Sequence, residues 1–213
     1  MSSFIETVQS RSDLIQSAFL EHLYISFIAL AVGIAISLPL GIVIARYRKI
    51  AEPIIGITAI FQTIPSLALF GFLVPIMGIG TQTALIALII YALLPILRNT
   101  YTGIKGVDSS IIEAGKGMGM TQSQILRQIE LPLALPFIMA GIRTATVLTV
   151  GIATLATFVG AGGLGDVIYR GLQSYNNELV LAGALPVALL AIAFDFILKW
   201  IEKRTTPKGM TID

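Results

Sequence analysis

Long apolar stretches alternate with short polar ones along most of this chain. Five apolar segments approach or exceed the roughly 20 helical residues that cross the ~30 Å hydrocarbon core of a bilayer. They are Leu23–Ala45, Pro53–Ile76, Thr81–Leu97, Leu133–Val159 and Leu179–Trp200. The third segment is the shortest. The pattern predicts an all-α integral membrane protein with about five transmembrane helices.

The two ends of the chain have a different pattern. Residues 1–22 place apolar side chains at helical spacing among polar ones, which predicts an amphipathic helix on the membrane surface. The single histidine, His22, is expected at its interfacial junction with the first span. The predicted organisation is therefore an interfacial helix over residues 1–22, a membrane domain over 23–201 and a cytoplasmic tail over 202–213.

Composition supports a membrane protein and excludes several kinds of site. Of the 213 residues, 55% are hydrophobic and 12% are charged, whereas soluble domains average about 25% charged residues. The chain has no cysteine, which excludes disulfides and thiolate catalysis, and one histidine cannot build a metal site alone. The net charge is only +2 and the basic residues are scattered, so no nucleic-acid-binding surface is predicted.

Basic residues predict the orientation of the spans. They lie after the first span, between the third and fourth, and at the C-terminus: Arg46, Arg48, Lys49, Arg98, Lys105, Lys116, Arg127, Lys199, Lys203, Arg204 and Lys208. Cytoplasmic loops are enriched in lysine and arginine. We therefore expect the N-terminus outside, and the C-terminus and the polar loop 108–132 in the cytoplasm.

That polar loop carries two helix-start signatures in tandem. The two capping boxes pair Ser110 with Glu113 and Thr121 with Gln124. Gly119 stands where a first helix should stop and turn, and Pro132 and Pro136 are expected to end the second helix or bend its exit. The loop is predicted to form two short helices joined by a glycine turn.

The same loop carries a family resemblance. Glu113, Ala114, Gly119, Ile129, Leu131 and Pro132 match an E-A-A, three residues, G, nine residues, I-x-L-P signature. The chain thus resembles the permease subunits of binding-protein-dependent (type I) ABC importers, in which this loop couples to an ATPase. Gly115 departs from the usual second alanine, so the first helix is expected to be weaker. The expected coupling residues are Ser110, Glu113, Ala114, Gly115, Gly117, Gly119, Met120, Thr121, Ile129, Leu131 and Pro132.

Within that family, the chain most resembles the quaternary-amine osmoprotectant permeases, which take up glycine betaine, carnitine, choline or similar solutes. The stretches QTIPSLALFGFL, YALLPILRNTYTGI, ELPLALPFIMAGIRTATV and GAGGLG carry it in this order. It implies the type I permease fold, a bacterial cytoplasmic membrane, an ATPase dimer, a second permease that is identical or different, and an extracytoplasmic substrate-binding protein. The chain contains no G-x-x-x-x-G-K-[ST], so no cofactor is expected on it, and ATP with magnesium would be bound by the ATPase.

Two alternatives remain open. An import permease for another small solute, such as an amino acid, would carry the same signature. A self-contained secondary transporter would need ion-coupling carboxylates near the membrane midplane. Only Asp195 is available for that role, and no internal repeat is visible.

Polar residues inside the spans are candidates for a translocation path. Gln62, Thr63, Pro65 and Ser66 interrupt the second span and either line a path or mark a kink that neighbouring helices satisfy. Arg143 and Thr149 are the candidates in the fourth span. Ionisable residues in lipid normally pair or face a cavity. We expect Arg143 and Asp195 to pair or to contact a neighbouring subunit, unless Asp195 turns towards Lys199.

Small residues and glycines form two further patterns. Every fourth position is small in rows over Gly33, Ser37 and Gly41 and over Gly141, Ala145, Thr149, Ala153 and Thr157. Such rows let helix backbones approach closely, so the fourth span is expected to be a central, tightly packed helix. Its row either serves packing within the subunit or faces a path or a second permease. Gly160, Gly162 and Gly165 match G-x-G-x-x-G, but they follow a membrane span, not a strand. They are interpreted as a glycine hinge before an amphipathic outer segment.

Overall fold

The computed structural model describes residues 2–205, and every regular element within that range is helical. Ten α-helices follow one another, with a π-turn at Leu126–Glu130 and a 3₁₀ segment at Thr154–Val159. They are α1 (Ser2–Ser10), α2 (Ser12–Arg46), α3 (Arg48–Thr63), α4 (Ser66–Met77), α5 (Thr81–Lys105), α6 (Ser109–Gly117), α7 (Gln122–Ile125), α8 (Leu131–Ala153), α9 (Leu164–Gln173) and α10 (Asn177–Thr205). Residues 206–213 of the expected C-terminal tail lie outside the described residues.

The N-terminal region does not form one helix over residues 1–22. The helix α1 ends at Ser10, and α2 begins at Ser12 and runs on for 35 residues. No proline or glycine interrupts the chain between Ser12 and the first span, so the span's helix starts earlier than its apolar segment. His22 consequently lies within α2 and is buried in the packing at 1% exposure, while its position at a membrane interface stays a prediction. The location of α1 on a membrane surface stays a prediction.

The second predicted span is broken into two helices. The axes of α3 and α4 differ by 99° across Ile64 and Pro65. Ile64 has the extended conformation expected before a proline (φ −72°, ψ 127°). Within the described residues, four helical segments are long and apolar enough to cross a membrane, and the broken pair makes a fifth if it counts as one span.

The helix α5 lies at the centre of the subunit, between α2 and α8. It is longer than the predicted third span, since it continues through polar residues to Lys105. Glycines permit the close approach on both sides. A Cβ at Gly41 of α2 would lie 2.7 Å from the Thr100 Cβ, and one at Gly141 of α8 would lie 2.7 Å from the Pro95 carbonyl oxygen. The small-residue rows therefore serve packing within this subunit.

The fourth span is continuous with the second half of the polar loop. One helical run extends from Gln122 to Val159. Pro132 and Pro136 lie inside this run, so the expectation that the second loop helix is a short separate element is wrong. The π-turn ends at Glu130, two residues before Pro132. Its wider turn accommodates a proline that lacks an N–H and crowds the preceding turn.

Candidate functional site: the polar loop and the polar residues within the spans

The polar loop begins at Asp108, which caps α6. The carboxylate of Asp108 accepts a hydrogen bond from the Ser110 backbone N–H at 2.8 Å. This bond lowers the pKa of the Asp108 carboxyl below its usual value. The predicted capping box of Ser110 with Glu113 is wrong, because the N-cap is Asp108, two residues before Ser110, and Ser110 lies in the first turn of the helix. Aspartate is as good an N-cap as serine.

The turn between the two loop helices is built as expected. Gly119 has a φ of +79°, and the Met120 N–H donates to the Gly115 carbonyl at 3.1 Å while the Gly119 N–H donates to Lys116 at 2.9 Å. This is the Schellman arrangement, which favours glycine at the left-handed position. The second capping box is confirmed, with reciprocal bonds between Thr121 and Gln124.

The two halves of the loop pack against each other through Gly115. A Cβ at this position would lie 2.9 Å from the Ile129 Cδ1 and 3.6 Å from the Ile125 Cγ1. Gly115 and Ile125 are buried, and Met120 and Ile129 are half-buried. Gly115 therefore lets the two halves of the loop approach closely, which is a packing role that helix propensity alone does not indicate.

The opposite side of α6 is open and partly apolar. Ile111 is 43% exposed, Met118 is 74% exposed, and Ala114 lies between them at helical spacing. We call these three residues the loop stripe. The remaining predicted coupling residues that are exposed are Ser110, Glu113, Gly117, Gly119 and Thr121. Ile111 and Met118 were missed from the sequence, although their i, i+3, i+7 spacing with Ala114 was visible.

An ion pair ties the loop to the first spanning helix. Arg46, the last residue of α2, donates from Nη1 to Glu130 Oε1 at 3.1 Å and from Nη2 to Glu130 Oε2. Glu130 is buried and belongs to the π-turn beside Leu131 and Pro132, which are half-buried. Sequence reasoning missed this pair, since it counted Arg46 only as a marker of orientation.

The polar break in the second span is held by α5. Gln62 donates from Nε2 to the Tyr91 carbonyl at 2.9 Å, and the Tyr91 hydroxyl donates to the Ile64 carbonyl. Pro95 cannot supply the N–H that would otherwise bond to the Tyr91 carbonyl. At each break in the helical hydrogen bonding, the free backbone carbonyl thus accepts a hydrogen bond from a side chain of the other helix.

The other candidates at the break have less specific surroundings. Thr63 and Pro65 are exposed, Ser66 is half-buried, and the Thr63 hydroxyl donates to the Ile60 carbonyl at 2.7 Å. The Gln62 amide is bonded to α5. This favours a kink whose polar groups are satisfied by a neighbouring helix over an amide that lines a path. Thr149 is buried in helix packing, and its hydroxyl has no hydrogen-bond partner among the described residues.

Arg143 and Asp195 form the expected pair. Arg143 donates from Nε to Asp195 Oδ1 at 2.8 Å and from Nη2 to Oδ2 at 3.2 Å. Its Nη1 also donates to Glu202 Oε2 at 3.2 Å, a partner that sequence reasoning missed. The pair lies beside a cavity of about 470 Å³, which Thr144 and Leu148 also line. A path-facing role for Arg143 therefore remains a prediction.

The glycine segment after the fourth span is a packed turn leading into α9. Gly160, Gly162 and Gly163 have φ values of +71°, +75° and +84°. The helix α9 is amphipathic, as predicted, with its buried side formed by Leu164, Gly165, Val167 and Gly171. The hinge interpretation misses this packing, since a Cβ at Gly163 would lie 3.2 Å from the His22 Nδ1.

His22 belongs to the same packed region. Its Nε2 lies 3.1 Å from the Val150 carbonyl oxygen. The N–H of Thr154 bonds to Gly151 and Ile152, because the helix tightens into the 3₁₀ segment there. The Val150 carbonyl is therefore left for the imidazole. Within the described residues, no group of acidic, histidine or cysteine side chains could hold a metal ion.

Known proteins resemble the chain over most of its length. The family model for the binding-protein-dependent transport system inner membrane component matches residues 37–207. The glycine betaine/carnitine/choline transport system permease protein OpuCB of Bacillus subtilis (strain 168) is 52% identical over 190 residues, which are 89% of this chain and 88% of that protein. The osmoprotectant import permease protein OsmW of Salmonella typhimurium is 42% identical over 89% of this chain and 91% of its own.

A solved structure agrees with these relatives. An inward-facing conformation of the MetNI methionine ABC transporter contains a chain that superposes with a TM-score of 0.84 at 26% identity, covering 93% of this chain and 99% of that one. The all-helical fold with its broken span is therefore the type I ABC importer permease fold. Because the family model matches residues 37–207 and a relative is 52% identical over 89% of the chain, this chain belongs to the binding-protein-dependent transport system inner membrane components.

Proposed function

We propose that this chain is the permease subunit of an ATP-driven importer for a quaternary-ammonium osmoprotectant such as glycine betaine, carnitine or choline. The main observation that supports a transport role is the exposed loop stripe beside the signature residues, since exposed apolar side chains of this kind favour binding of a partner protein. The names of the relatives at 52% and 42% identity support the solute class. The methionine transporter is a more distant likeness, and supports the fold more than the solute.

The loop stripe is the proposed docking surface for the ATPase subunit. Two large apolar side chains, Ile111 and Met118, are displayed beside polar exposed residues on a short helix. Exposed apolar surface rimmed by polar residues marks interaction sites. The capped start of α6 and the Schellman turn hold this helix in a defined shape, so a force applied to it is transmitted to Ile125 and Ile129 through the contact at Gly115.

The loop has two routes to the membrane domain. The helical run from Gln122 to Val159 carries displacement directly into α8. The Arg46–Glu130 pair carries it into α2. We expect ATP binding to close the ATPase dimer, and closure to move both helices so that the path opens outward. ATP hydrolysis then restores the inward-facing state. In this proposal hydrolysis takes place on the separate ATPase chain, with no enzymatic activity on this one.

The orientation and the second subunit are also part of the proposal. The loop lies in the cytoplasm together with the C-terminus, and the N-terminus lies outside, as the basic residues predict. A second permease would face the exposed side of α8, where Phe137, Ala140, Thr144, Leu148 and Gly151 form an open stripe. Three residues of this stripe, Ala140, Thr144 and Leu148, also line the Arg143 cavity, which favours a path between two subunits. The substrate-binding protein would deliver solute at the outer end.

Reconstitution with the ATPase and the binding protein tests the function. Proteoliposomes with ATP inside should take up labelled glycine betaine, and excess choline or carnitine should compete while methionine should not. Competition by methionine alone would overturn the solute class. Collapse of ion gradients should leave uptake unchanged while ATP persists. Uptake that required a gradient and no ATP would overturn the ABC mechanism.

The loop stripe is tested in the same preparation. Met118→Glu places a charge in the proposed interface and should abolish co-purification with the ATPase and ATP-driven uptake, while the membrane content of the permease is maintained. Met118→Leu keeps the apolar contact and is the matched control. Equal coupling in Met118→Glu and Met118→Leu would show that the stripe is not the docking surface.

A further inference from the structure

A second cavity lies at the end of the helices opposite the polar loop. It has a volume of about 670 Å³, within the range of roughly 300–1,000 Å³ typical of small-molecule sites. Glu21 and Tyr24 of α2 form one wall, Asp166, Tyr169 and Arg170 of α9 form another, and Thr157 of the 3₁₀ segment lies between them. In the proposed orientation this cavity opens on the outer face.

Two carboxylates in this cavity are held in place by hydrogen bonds. The Glu21 Oε2 accepts the Gly163 N–H at 3.0 Å, and a Cβ at Gly162 would lie 2.4 Å from the same oxygen. Asp166 Oδ1 accepts the Thr157 hydroxyl. Neither carboxylate forms an ion pair within 4 Å in the described part of the chain. The glycine turn is thus shaped around Glu21, and both carboxylates line the cavity.

Aromatic rings accompany the carboxylates. Tyr24 is 59% exposed and Tyr169 is 38% exposed, and both line the cavity. The Tyr169 ring is held by a T-shaped contact with Phe158, with centroids 5.3 Å apart and planes at 69°. Tyrosine faces attract ammonium groups, and quaternary ammonium ions are recognised by several such rings together. The two tyrosines are 145 positions apart in the chain, so only the tertiary structure brings them to one cavity.

We infer that this cavity is a low-affinity site for the quaternary ammonium group of the solute at the outer mouth of the permease. The inference rests on the proposed function and adds a binding site on this chain. Tyr24 and Tyr169 supply cation–π attraction, and Glu21 and Asp166 supply the opposite charge. Arg170, on the same wall, pairs with the carboxylate of a zwitterionic solute. The site receives the cation before it enters the path.

Saturation-transfer NMR tests the site directly, because the method detects weak binding. The probe is tetramethylammonium, added to the permease–ATPase complex without binding protein, in nanodiscs of phosphatidylglycerol, which has no ammonium headgroup. The wild-type complex should transfer saturation to the probe's methyl protons, and choline should compete. Tyr24→Leu and Tyr169→Leu should each weaken binding roughly fivefold, whereas Tyr24→Phe should retain it.

Further variants separate the site from nonspecific binding. Glu21→Gln and Asp166→Asn should weaken tetramethylammonium binding, since each removes a negative charge from the cavity. Tyr175→Leu is the matched control, because Tyr175 is 94% exposed after α9 and does not line the cavity. Equal binding in Tyr24→Leu, Tyr169→Leu and Tyr175→Leu would overturn the inference. Loss of the wild-type signal in phosphatidylcholine nanodiscs would assign the cavity to a lipid headgroup and would also overturn the solute site.

The outcomes distinguish this inference from the proposed function. If the complete transporter imports glycine betaine but the tyrosine variants bind the probe like wild type, only the inference fails. If the cavity binds the probe through its tyrosines but ATP drives no uptake of glycine betaine, carnitine or choline, the site is supported and the proposed function fails.

Discussion

Arg46 and Glu130, 84 positions apart, form a bidentate ion pair between the end of α2 and the π-turn of the polar loop. The Glu130 side chain is 4% exposed and that of Arg46 is 34% exposed. A buried carboxylate needs such a partner, because transfer of an unpaired charge out of water is costly. The pair therefore gives the signature loop a second, noncovalent attachment to the membrane domain.

Removing Arg46 should destabilise the permease and impair coupling. Arg46→Ala leaves the Glu130 carboxylate without its partner, and we expect the free energy of unfolding to fall by about 1–3 kcal/mol. ATP-driven uptake should fall by more than the loss of stability accounts for, because a displacement of the polar loop is no longer transmitted to α2. Thermal unfolding in detergent and uptake in proteoliposomes measure the two effects.

A neighbouring arginine supplies the control for this pair. Arg127 lies in the same π-turn, is exposed, and forms no ion pair within the described residues. Arg127→Ala should change the stability of the isolated permease by no more than about 0.5 kcal/mol. Exchanging the charges, with Arg46→Glu and Glu130→Arg together, should recover part of the loss. A loss as large in Arg127→Ala as in Arg46→Ala would contradict the role assigned to the pair.

The Arg143–Asp195 pair should behave as a unit. Arg143→Leu leaves Asp195 and Glu202 without the guanidinium and should lower the thermal stability of the assembled transporter, since a lone charge inside a span costs about 2.5–3.5 kcal/mol on insertion scales. Adding Asp195→Leu should restore part of the stability, because the unpaired carboxylate is then gone. A double-mutant cycle measures the coupling. Strictly additive losses would show that the two residues act independently.

The contact between Gln62 and Tyr91 depends on Pro95. Gln62→Leu deprives the Tyr91 carbonyl of its donor and should cost about 1–3 kcal/mol. In a Pro95→Ala background residue 95 supplies an N–H to that carbonyl, so the same Gln62→Leu change should cost much less. Unfolding of the four variants in one detergent tests this. An equal cost of Gln62→Leu in both backgrounds would show that the amide has another task, such as lining the path.

The effect of a substitution at Gly119 should depend on the backbone conformation more than on the space available for a side chain. A Cβ there meets nothing within 4 Å, but the φ of +79° disfavours other residues. Gly119→Val should therefore distort the turn, at a cost of about 1–2 kcal/mol, whereas Gly119→Asn should be tolerated because asparagine adopts this conformation. Gly119→Arg should uncouple transport while the protein remains in the membrane. Normal uptake by Gly119→Arg would count against the loop as the coupling element.

The fold and the loop signature could be read from local patterns, since each depends on residues close together in the chain. The apolar lengths located the spans, Pro65 located the break, and Gly119 with Thr121 and Gln124 located the turn. Boundaries were less accurate, because a helix continues past its apolar segment when nothing stops it, as in α2. The direct passage from the polar loop into α8 also required the structure, since Pro132 looked like an end until the π-turn accommodated it.

The sequence by itself determined an all-helical membrane protein with an exposed signature loop, because hydrophobic length and turn chemistry act over short distances. The sequence offered the Arg143–Asp195 pair as one possibility, but only the tertiary structure decided which other polar groups meet. Glu130 finds Arg46, Gln62 finds Tyr91, and Glu21 reaches Gly163 across 142 positions. A sequence shows that a polar group inside a membrane protein needs a partner. Which partner it finds depends on how the helices pack, and that packing follows from contacts at glycines far apart in the chain.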